Sequence, residues 1–218
     1  MRNKPADESS SSAANQSTPT FALTRRAVLI GLPLFMAGCG VNYGPVNDGG
    51  FTTPAVDMTM IDKSLLRTEV SWSGPEKPGT IVVKVPERRL YLVEAGGKAL
   101  RYGVGVGRSE GTNFHGNAII GRKEKWPHWT PTDNMMAAIP LYRHYASGMN
   151  GGPDNPLGAR ALYLYRDGHD THFRLHGTTE PESIGQAVSS GCIRLFNQDI
   201  IDLYDRVPVG AKVIVLQG

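Results

Sequence analysis

From Thr80 onward, short apolar runs rich in Val, Ile and Tyr alternate with clusters of turn residues, which is the pattern of β-strands. Turn residues at 86–88 and 95–98 separate the first three runs and predict a meander. Together the runs predict a mainly β domain, with strands at 81–85, 90–94, 100–106, 118–122, 161–165, 172–176, 193–195 and 212–216.

Helices are few in this pattern. The clearest covers 198–206, where apolar residues fall on one face, and Asn197 stands where an N-cap is expected. Shorter helical turns are predicted at 134–138 and 183–188. The first of these lies in a long segment, 107–158, that is rich in Gly, Pro, Trp and His. A loop of that length in a compact domain is usually functional.

The first 39 residues predict export. Arg25 and Arg26 precede an apolar run at 27–37, which is too short for a membrane-spanning helix and has the size of a signal-peptide core. The paired arginines resemble a twin-arginine signal, and the residues ending at Cys39 resemble the lipobox of bacterial lipoproteins. We expect Cys39 to be lipidated and to anchor the chain to a membrane. An uncleaved anchor and an ordinary cleavage site are the alternatives, and all three place the remaining chain outside the cytoplasm.

Composition divides the rest of the chain. Residues 40–78 are rich in Gly, Pro, Thr and Asn, and they predict either a tether or an N-terminal arm packed along the domain, with Trp72 favouring the arm. One folded domain is predicted at 79–218, after the leader at 1–39. The net charge is +3 for the whole chain and +1 without the six charged leader residues. No basic run suggests a nucleic acid as partner.

Cys192 is the only cysteine outside the leader, and His176 lies 16 positions before it. A free thiol in an oxidising compartment is unusual enough to indicate a chemical role, although a buried structural cysteine is the alternative. A thiol attacks as thiolate, which at neutral pH needs a nearby imidazole or a positive environment. We interpret Cys192 as a candidate nucleophile and His176 as its candidate base. Alternation along 172–176 puts His172, Arg174 and His176 on one face of the strand.

The segment from His176 to Leu195, HGTTEPESIGQAVSSGCIRL, resembles the signature of the L,D-transpeptidases, bacterial cysteine enzymes that cross-link peptidoglycan. The resemblance runs from about Gly79 to the end of the chain. One position departs from the pattern, because Ser190 stands where many members have His. The matching positions are His176, Gly177, Thr178, Ser183, Ile184, Gly185, Ser189, Gly191, Cys192, Ile193 and Arg194.

The resemblance implies a β-rich catalytic fold, with mixed sheets in a sandwich-like arrangement and a few short helices, over 79–218. It implies that Cys192 attacks the carbonyl between the third and fourth residues of a peptidoglycan tetrapeptide stem. D-Ala leaves, and the acyl group of the resulting thioester is transferred to an amine. His176 would act as base and then acid, oriented by the backbone carbonyl of Gly177. Backbone amides near Gly191 and Cys192 would bind the oxyanion.

Candidate substrate-binding residues surround this pair. Arg194 is expected to bind a substrate carboxylate, with a structural salt bridge as the alternative. Trp126, Trp129 and Tyr142 are candidates for a lid, with anchoring of the long loop as the alternative. The substrate-binding residues predicted in this way are Arg194, Ser189, Ser190, Trp126 and Trp129.

Neither a metal nor another cofactor is expected, because histidines at 169, 172 and 176 lack the spacing of a helical zinc motif. The expected partners are peptidoglycan stem peptides and a membrane reached through Cys39. Water as acceptor would make the protein an L,D-carboxypeptidase, and a catalytically inert wall-binding lipoprotein is a further alternative. A papain-like wall peptidase is disfavoured, because in that class the cysteine precedes the histidine.

Overall fold

The computed structural model describes residues 41–217. The predicted leader, with Arg25, Arg26 and Cys39, lies outside the described residues. The strands are β1 (Val46–Asp48), β2 (Phe51–Thr53), β3 (Thr68–Ser71), β4 (Ile81–Lys84), β5 (Arg89–Glu94), β6 (Lys98–Gly103), β7 (Val106–Gly107), β8 (Gly116–Lys125), β9 (Arg160–Arg166), β10 (His169–His176), β11 (Ala187–Ser189), β12 (Ile193–Arg194) and β13 (Lys212–Leu216). The helices are α1 (Asp133–Ala138) and α2 (Asn197–Arg206), and 3-10 turns occupy Lys63–Leu65, Glu110–Thr112, Pro140–Tyr145 and Pro181–Ser183.

One mixed sheet of nine strands dominates the domain, in the order β12-β10-β9-β8-β13-β4-β5-β6-β3. Strand β10 runs parallel to β12 and β13 parallel to β4, while the other neighbours are antiparallel. Gly105, just after β6, exchanges two backbone hydrogen bonds of 2.9 Å with Arg194 of β12. Because β6 and β12 lie near opposite ends of the strand order, the sheet folds over on itself in a sandwich-like form. Separate two-stranded sheets pair β1 with β2 and β7 with β11.

The mainly β prediction is confirmed, and every predicted run overlaps a strand. Two of the predicted elements differ from the structure. The run at 100–106 is split between β6 and β7, because Gly105 pairs with β12 instead of continuing β6. The segment at 183–188 is not a helical turn, since Gly185 has a φ of +83° and the chain then enters β11.

Helix α2 covers the core next to the end of β10, and so positions the motif residues. Ile200 and Leu203 of α2 are fully buried with Leu162 of β9 and Leu175 of β10. Burial of each such side chain contributes about 2 kcal/mol. Among residues 41–217, α2 is the longest helix with 10 residues, and no helix has the length and hydropathy needed to cross a membrane.

Residues 41–78, here called the N-terminal arm, lie against the domain. Strand β3 of the arm adds an edge strand beside β6, and Trp72 packs on Tyr91 with ring centroids 5.2 Å apart. A second hydrophobic cluster joins arm and domain, and its buried members are Tyr43, Val56, Ile61, Leu65, Ile184 and Phe196. Of the two alternatives for 40–78, these contacts are those of a packed arm.

Candidate active site

His176 is the last residue of β10 and is only 5% exposed. Its Nδ1 lies 2.6 Å from the carbonyl oxygen of Gly177. A carbonyl oxygen can only accept a hydrogen bond, so Nδ1 carries a proton and the neutral ring has its lone pair on Nε2. The ring is therefore held in the tautomer of a base that accepts a proton at Nε2.

The surroundings of His176 keep it neutral. Burial lowers its pKa from 6.5 to about 4, and the guanidinium charges of Arg194 and Arg174 act in the same direction. The carbonyls of Gly177 and Leu157 oppose the shift, because they accept hydrogen bonds from the charged ring. At neutral pH the imidazole is consequently free to accept a proton.

Pairing between β10 and β12 brings together the segments that carry the two predicted catalytic residues, His176 at the end of β10 and Cys192 directly before β12. The parallel register joins Leu175 to Ile193 and His176 to Arg194. Cys192 directly precedes Ile193, so it lies two positions before the residue paired with His176. Since side chains two positions apart share a face of a sheet, the thiol and the imidazole lie on the same face.

The thiol of Cys192 is free and half-buried, with Sγ 4.0 Å from the carbonyl oxygen of His172. Burial raises the pKa of the thiol above its usual 9.0, and the carboxylate of Asp170 also raises it. The backbone N–H of Arg174 and the guanidinium groups of Arg174 and Arg194 lower it. Burial is the largest effect, so the resting thiol is protonated at neutral pH.

The turn before Cys192 depends on glycine. Gly191 has a φ of +123°, and a Cβ atom there would lie 2.1 Å from the carbonyl oxygen of Thr112. The Gly191 amide donates to Ser189 Oγ at 3.1 Å, and that hydroxyl donates to the Cys192 carbonyl at 2.7 Å. Ser189 is 3% exposed, whereas Ser190 is exposed at the tip of the turn. Within residues 41–217 the amide of Cys192 has no hydrogen-bond acceptor.

Asn197 fixes the backbone beside His176, a role that differs from the helix N-cap predicted from the sequence. It is the first residue of α2, and its side chain makes no capping hydrogen bond to that helix. Instead Oδ1 accepts from the Ala159 amide at 2.9 Å and Nδ2 donates to the Thr178 carbonyl at 2.9 Å. A Cβ atom on Gly177 would lie 2.1 Å from Oδ1, so glycine permits this close approach. The N-cap prediction is wrong because partners distant in sequence take both amide atoms.

Arg194 forms an ion pair across the site. Its guanidinium lies 2.6 Å from Glu180 Oε2, and the two side chains are 19% and 55% exposed. The backbone of Arg194 is also fixed, through its two hydrogen bonds with Gly105. This is the salt bridge that was the alternative to carboxylate binding, although the exposed Glu180 leaves the guanidinium close to solvent.

Arg174 is a further charged residue beside the thiol, and sequence reasoning gave it no role. Its guanidinium holds both carboxylate oxygens of Asp170, at 2.8 and 3.0 Å, and lies 4.3 Å from the centroid of the Tyr163 ring. A bulge between Asp170 and Arg174, with His172 at a φ of +63°, turns the chain so that Asp170 can reach back. The sequence signal that could have identified Arg174 is its predicted position on the same strand face as His176.

The two predicted lid tryptophans anchor loops in the structure. Trp126 donates from Nε1 to the carboxylate of Asp48 at 2.8 Å, and so ties the long loop to the N-terminal arm. Trp129 is 6% exposed and packs against Tyr142 and Tyr145, with ring centroids 5.3 and 5.9 Å away. These contacts match the anchoring alternative for both residues.

Asn155 supports the loop that faces His176. It is fully buried, and its Nδ2 donates to three carbonyls, of Pro127, Met149 and Asn150, at 3.0–3.2 Å. Its Oδ1 accepts from the amide of Leu157 at 2.9 Å, and the carbonyl of Leu157 faces the imidazole. One buried amide therefore fixes the loop on that side of the site.

The assembled groups fit nucleophilic acyl transfer. A free thiol and a neutral base lie on one sheet face, and a third group orients the base. Among the described residues, no group of three or more His, Cys, Asp or Glu side chains could hold a metal ion.

The chain was compared with models of known protein families. The model of the L,D-transpeptidase catalytic domain, YkuD, matches residues 78–215. This chain belongs to the L,D-transpeptidase catalytic-domain family. The matched region of the transpeptidase domain includes His176 and Cys192 and begins one residue before the predicted domain boundary at 79.

Curated relatives agree with the family. The transpeptidase domain is similar to the probable L,D-transpeptidase ErfK/SrfK of Salmonella typhimurium, with 39% identity over 147 residues, 62% of this chain and 43% of that protein. It is also 38% identical over 141 residues to the probable L,D-transpeptidase YbiS of Escherichia coli K12, covering 61% and 43%. The chain thus spans less than half the length of these relatives.

Among solved structures, the chain is similar to a Brucella melitensis protein described as a probable carnitine operon oxidoreductase caia. The two are 47% identical, and the match covers 72% of this chain and 96% of that chain with a TM-score of 0.49. Family membership is shown by the family model, which matches more than half of the chain.

Proposed function

We propose that this protein is a peptidoglycan L,D-transpeptidase that acts through a thioester on Cys192. The observation that carries the proposal is the 2.6 Å contact between His176 Nδ1 and the Gly177 carbonyl, which leaves Nε2 as the base on the sheet face that bears the thiol. The family membership of residues 78–215 supports the reaction class.

In the first half-reaction, Cys192 attacks the carbonyl between the third and fourth residues of a tetrapeptide stem. The thiol proton passes to His176 Nε2 as the carbon–sulfur bond forms. The imidazolium then gives this proton to the nitrogen of the departing D-Ala while the carbon–nitrogen bond breaks, leaving the thioester. The resting Sγ lies against the His172 carbonyl. The catalytic hydrogen bond between a thiol and its base often tightens only when substrate binds.

The turn before Cys192 supports an oxyanion site. The Cys192 amide is the best placed donor, because the amide of Gly191 already donates to Ser189 Oγ. We therefore assign Ser189 to support of the turn rather than to direct substrate contact. Ser190, exposed at the tip, remains a substrate-binding candidate, as does the guanidinium of Arg194.

In the second half-reaction an amine attacks the thioester. Its nitrogen loses a proton to His176, the carbon–sulfur bond breaks, and the thiolate takes that proton back from the imidazolium. The amine belongs to a second stem in cell-wall cross-linking, or to a protein in protein attachment. Exclusion of water decides between transfer and hydrolysis.

Intact-mass analysis of the purified protein with a disaccharide tetrapeptide tests the proposal. We expect an acyl adduct on the parent, with release of D-Ala and a cross-linked dimer, and no adduct on C192A. The variant H176N provides a matched control, since an asparagine amide can still donate to the Gly177 carbonyl but supplies no base. It should fold normally and form the adduct more than 100-fold more slowly.

The products separate this function from its alternatives. A tripeptide without a dimer would establish an L,D-carboxypeptidase. A folded protein with a free thiol that yields neither adduct nor D-Ala, with several stem peptides, would establish an inert wall-binding protein and overturn the proposal.

We also propose that the chain is exported and lipid-anchored at Cys39 in the cell envelope. The paired Arg25 and Arg26, the apolar run and the lipobox-like residues before Cys39 support this. The cell-wall substrate of the family requires a location outside the cytoplasm. Expression in a bacterial host, with fractionation and mass analysis of the mature N-terminus, is the test. An acylated cysteine in the membrane fraction that C39S lacks is the expected result, and a cleaved or unmodified N-terminus would overturn it.

A further inference from the structure

Two guanidinium groups flank the thiol of Cys192. Arg194 lies two residues after it on β12, and Arg174 lies beside it on β10 through the pairing of Leu175 with Ile193. The Arg194 side chain is 19% exposed and its partner Glu180 is 55% exposed, so solvent screens that pair. Arg174 and its partner Asp170 are less exposed, at 15% and 27%.

The Arg174 guanidinium is held in one position. Two parallel hydrogen bonds join it to Asp170, at 2.8 and 3.0 Å, and a third of 3.0 Å goes to the carbonyl of Phe173. The ring of Tyr163 supports its flat face at 4.3 Å. A bidentate pair stacked on an aromatic ring fixes both position and orientation.

The charged groups that act on Cys192 come from two strands and the loop between them. Strand β10 contributes Asp170 and Arg174, next to the neutral His176, and β12 contributes Arg194, whose partner Glu180 lies in the loop. On the side of the Glu110–Thr112 turn, the carbonyl oxygen of Thr112 lies next to Gly191, the residue before Cys192. Ser190, next to the nucleophile, carries no charge. The cation closest in sheet register to the nucleophile is consequently Arg174, whose side chain is partly buried.

We propose that Arg174, oriented by Asp170, is a positioning residue that stabilises the thiolate of Cys192 during acyl transfer. The proposal rests on the proposed function, and it assigns opposite electrostatic effects to the two members of one ion pair. Arg174 favours the thiolate through its charge and its backbone N–H, whereas the Asp170 carboxylate moderates that effect. His176 is uncharged at rest, and burial opposes ionisation of the Cys192 thiol. The charge of Arg174 would therefore supply the stabilisation of the thiolate that a neutral imidazole does not.

The test measures thiolate formation without any stem peptide. In a C39S background Cys192 is the only thiol, so the pH dependence of its alkylation by iodoacetamide reports its pKa. We expect R174Q to raise that pKa and D170N to lower it, each by roughly one unit, as removal of a neighbouring charge does. At pH 7 alkylation would then be roughly tenfold slower in R174Q and roughly tenfold faster in D170N.

Opposite shifts are the discriminating result. A purely structural role would move both variants in the same direction, because either substitution breaks the same ion pair. R122Q is the matched control, since Arg122 lies over the same Tyr163 ring at 3.6 Å but belongs to β8, which β9 separates from β10. R174K, which keeps the charge, should restore most of the alkylation rate, and urea unfolding should show that all variants are folded.

Shifts of the same sign, or no shift in folded R174Q and D170N, would overturn the proposal. Failure of the proposed function would look different. In that case the parent would form no acyl adduct, while the alkylation profiles of the parent and of both variants would still be measured.

Discussion

Asp48 in the first strand of the N-terminal arm grips Arg160 with both carboxylate oxygens, at 2.6 and 2.7 Å. The Arg160 side chain is 2% exposed, although 112 residues separate it from its partner. Arg160 begins β9, and its carbonyl accepts a hydrogen bond of 3.1 Å from the amide of Gly177. A single ion pair thus links the arm to the backbone that orients His176.

Removal of this carboxylate should destabilise the fold. In D48A the guanidinium of Arg160 would stay buried without its counter-charge, which costs about 3 kcal/mol for a buried pair. Urea unfolding followed by intrinsic fluorescence would measure the loss. E69A is the matched control, because Glu69 and Lys98 form a pair that is 54% exposed on both sides. The control should unfold like the parent, and equal stability of D48A and E69A would contradict the role given to the arm.

Asn197 should matter more for turnover than its place at a helix end suggests. N197A loses the acceptor for the Ala159 amide and the donor to the Thr178 carbonyl, and each lost hydrogen bond costs about 1 kcal/mol. We expect the free energy of unfolding to fall by about 2 kcal/mol. The turnover number should also fall at least tenfold, because the backbone next to His176 is released.

The variant N197D refines that prediction. Aspartate keeps the acceptor for Ala159 but sets a carboxylate oxygen against the Thr178 carbonyl, so turnover and stability should fall at least as far as in N197A. Parent-like turnover in both variants, measured by release of D-Ala, would show that the amide does not position the site.

Gly191 should tolerate no side chain. Alanine there would combine a φ of +123° with a contact of 2.1 Å to the Thr112 carbonyl oxygen. Strain of this kind costs roughly 1–3 kcal/mol, so the turn would shift and move Cys192. We expect G191A to lose at least 100-fold in acyl-adduct formation by intact mass. In G111A, a Cβ atom meets no atom within 4 Å, so that variant should behave like the parent.

Two buried groups should give stability opposite dependences on pH. Burial raises the pKa of Asp199 from 3.8 to about 7, so its contribution is fully present below pH 3.8 and is lost as the pH rises through 7. The pKa of His176 is lowered from 6.5 to about 4, so its contribution is present above pH 6.5 and is lost as the pH falls through 4.

Substitution of either group should leave the pH dependence of stability that is due to the other. We expect D199N to gain stability more steeply than the parent between pH 4 and 7, and to exceed the parent in stability at pH 8. H176N should show the reverse slope. Urea unfolding at pH 4, 5.5, 7 and 8 would measure both, and parallel curves for parent and variants would contradict the assigned protonation states.

Local pattern carried much of the fold. Apolar runs located the strands of the main sheet except β3, and the one-sided apolar face of 198–206 located α2, because these signals depend on neighbours within a few residues. The strand β3 and the β1–β2 hairpin were not predicted. Arg160 holds Asp48 of β1, and β3 pairs with β6, so both depend on partners that no local window contains.

Where a prediction from local sequence failed, the group in question forms hydrogen bonds with residues that are distant in sequence. Asn197 caps no helix because Ala159 and Thr178 occupy its amide. The run at 100–106 breaks at Gly105 because β12 pairs there. Trp126, expected near substrate, donates to Asp48 of the arm. None of these partners is within 15 residues of the group it holds.

The sequence by itself determined the candidate nucleophile, the candidate base and the family resemblance, because a thiol, an imidazole and a glycine-rich turn are chemical identities that do not depend on folding. Only the tertiary structure decided how those groups are set. The pairing of β10 with β12 placed Arg174 beside Cys192 and Arg194 beside His176, and burial fixed the direction of both pKa shifts. Charge and desolvation act through space, so their sources become known only when distant strands are brought together.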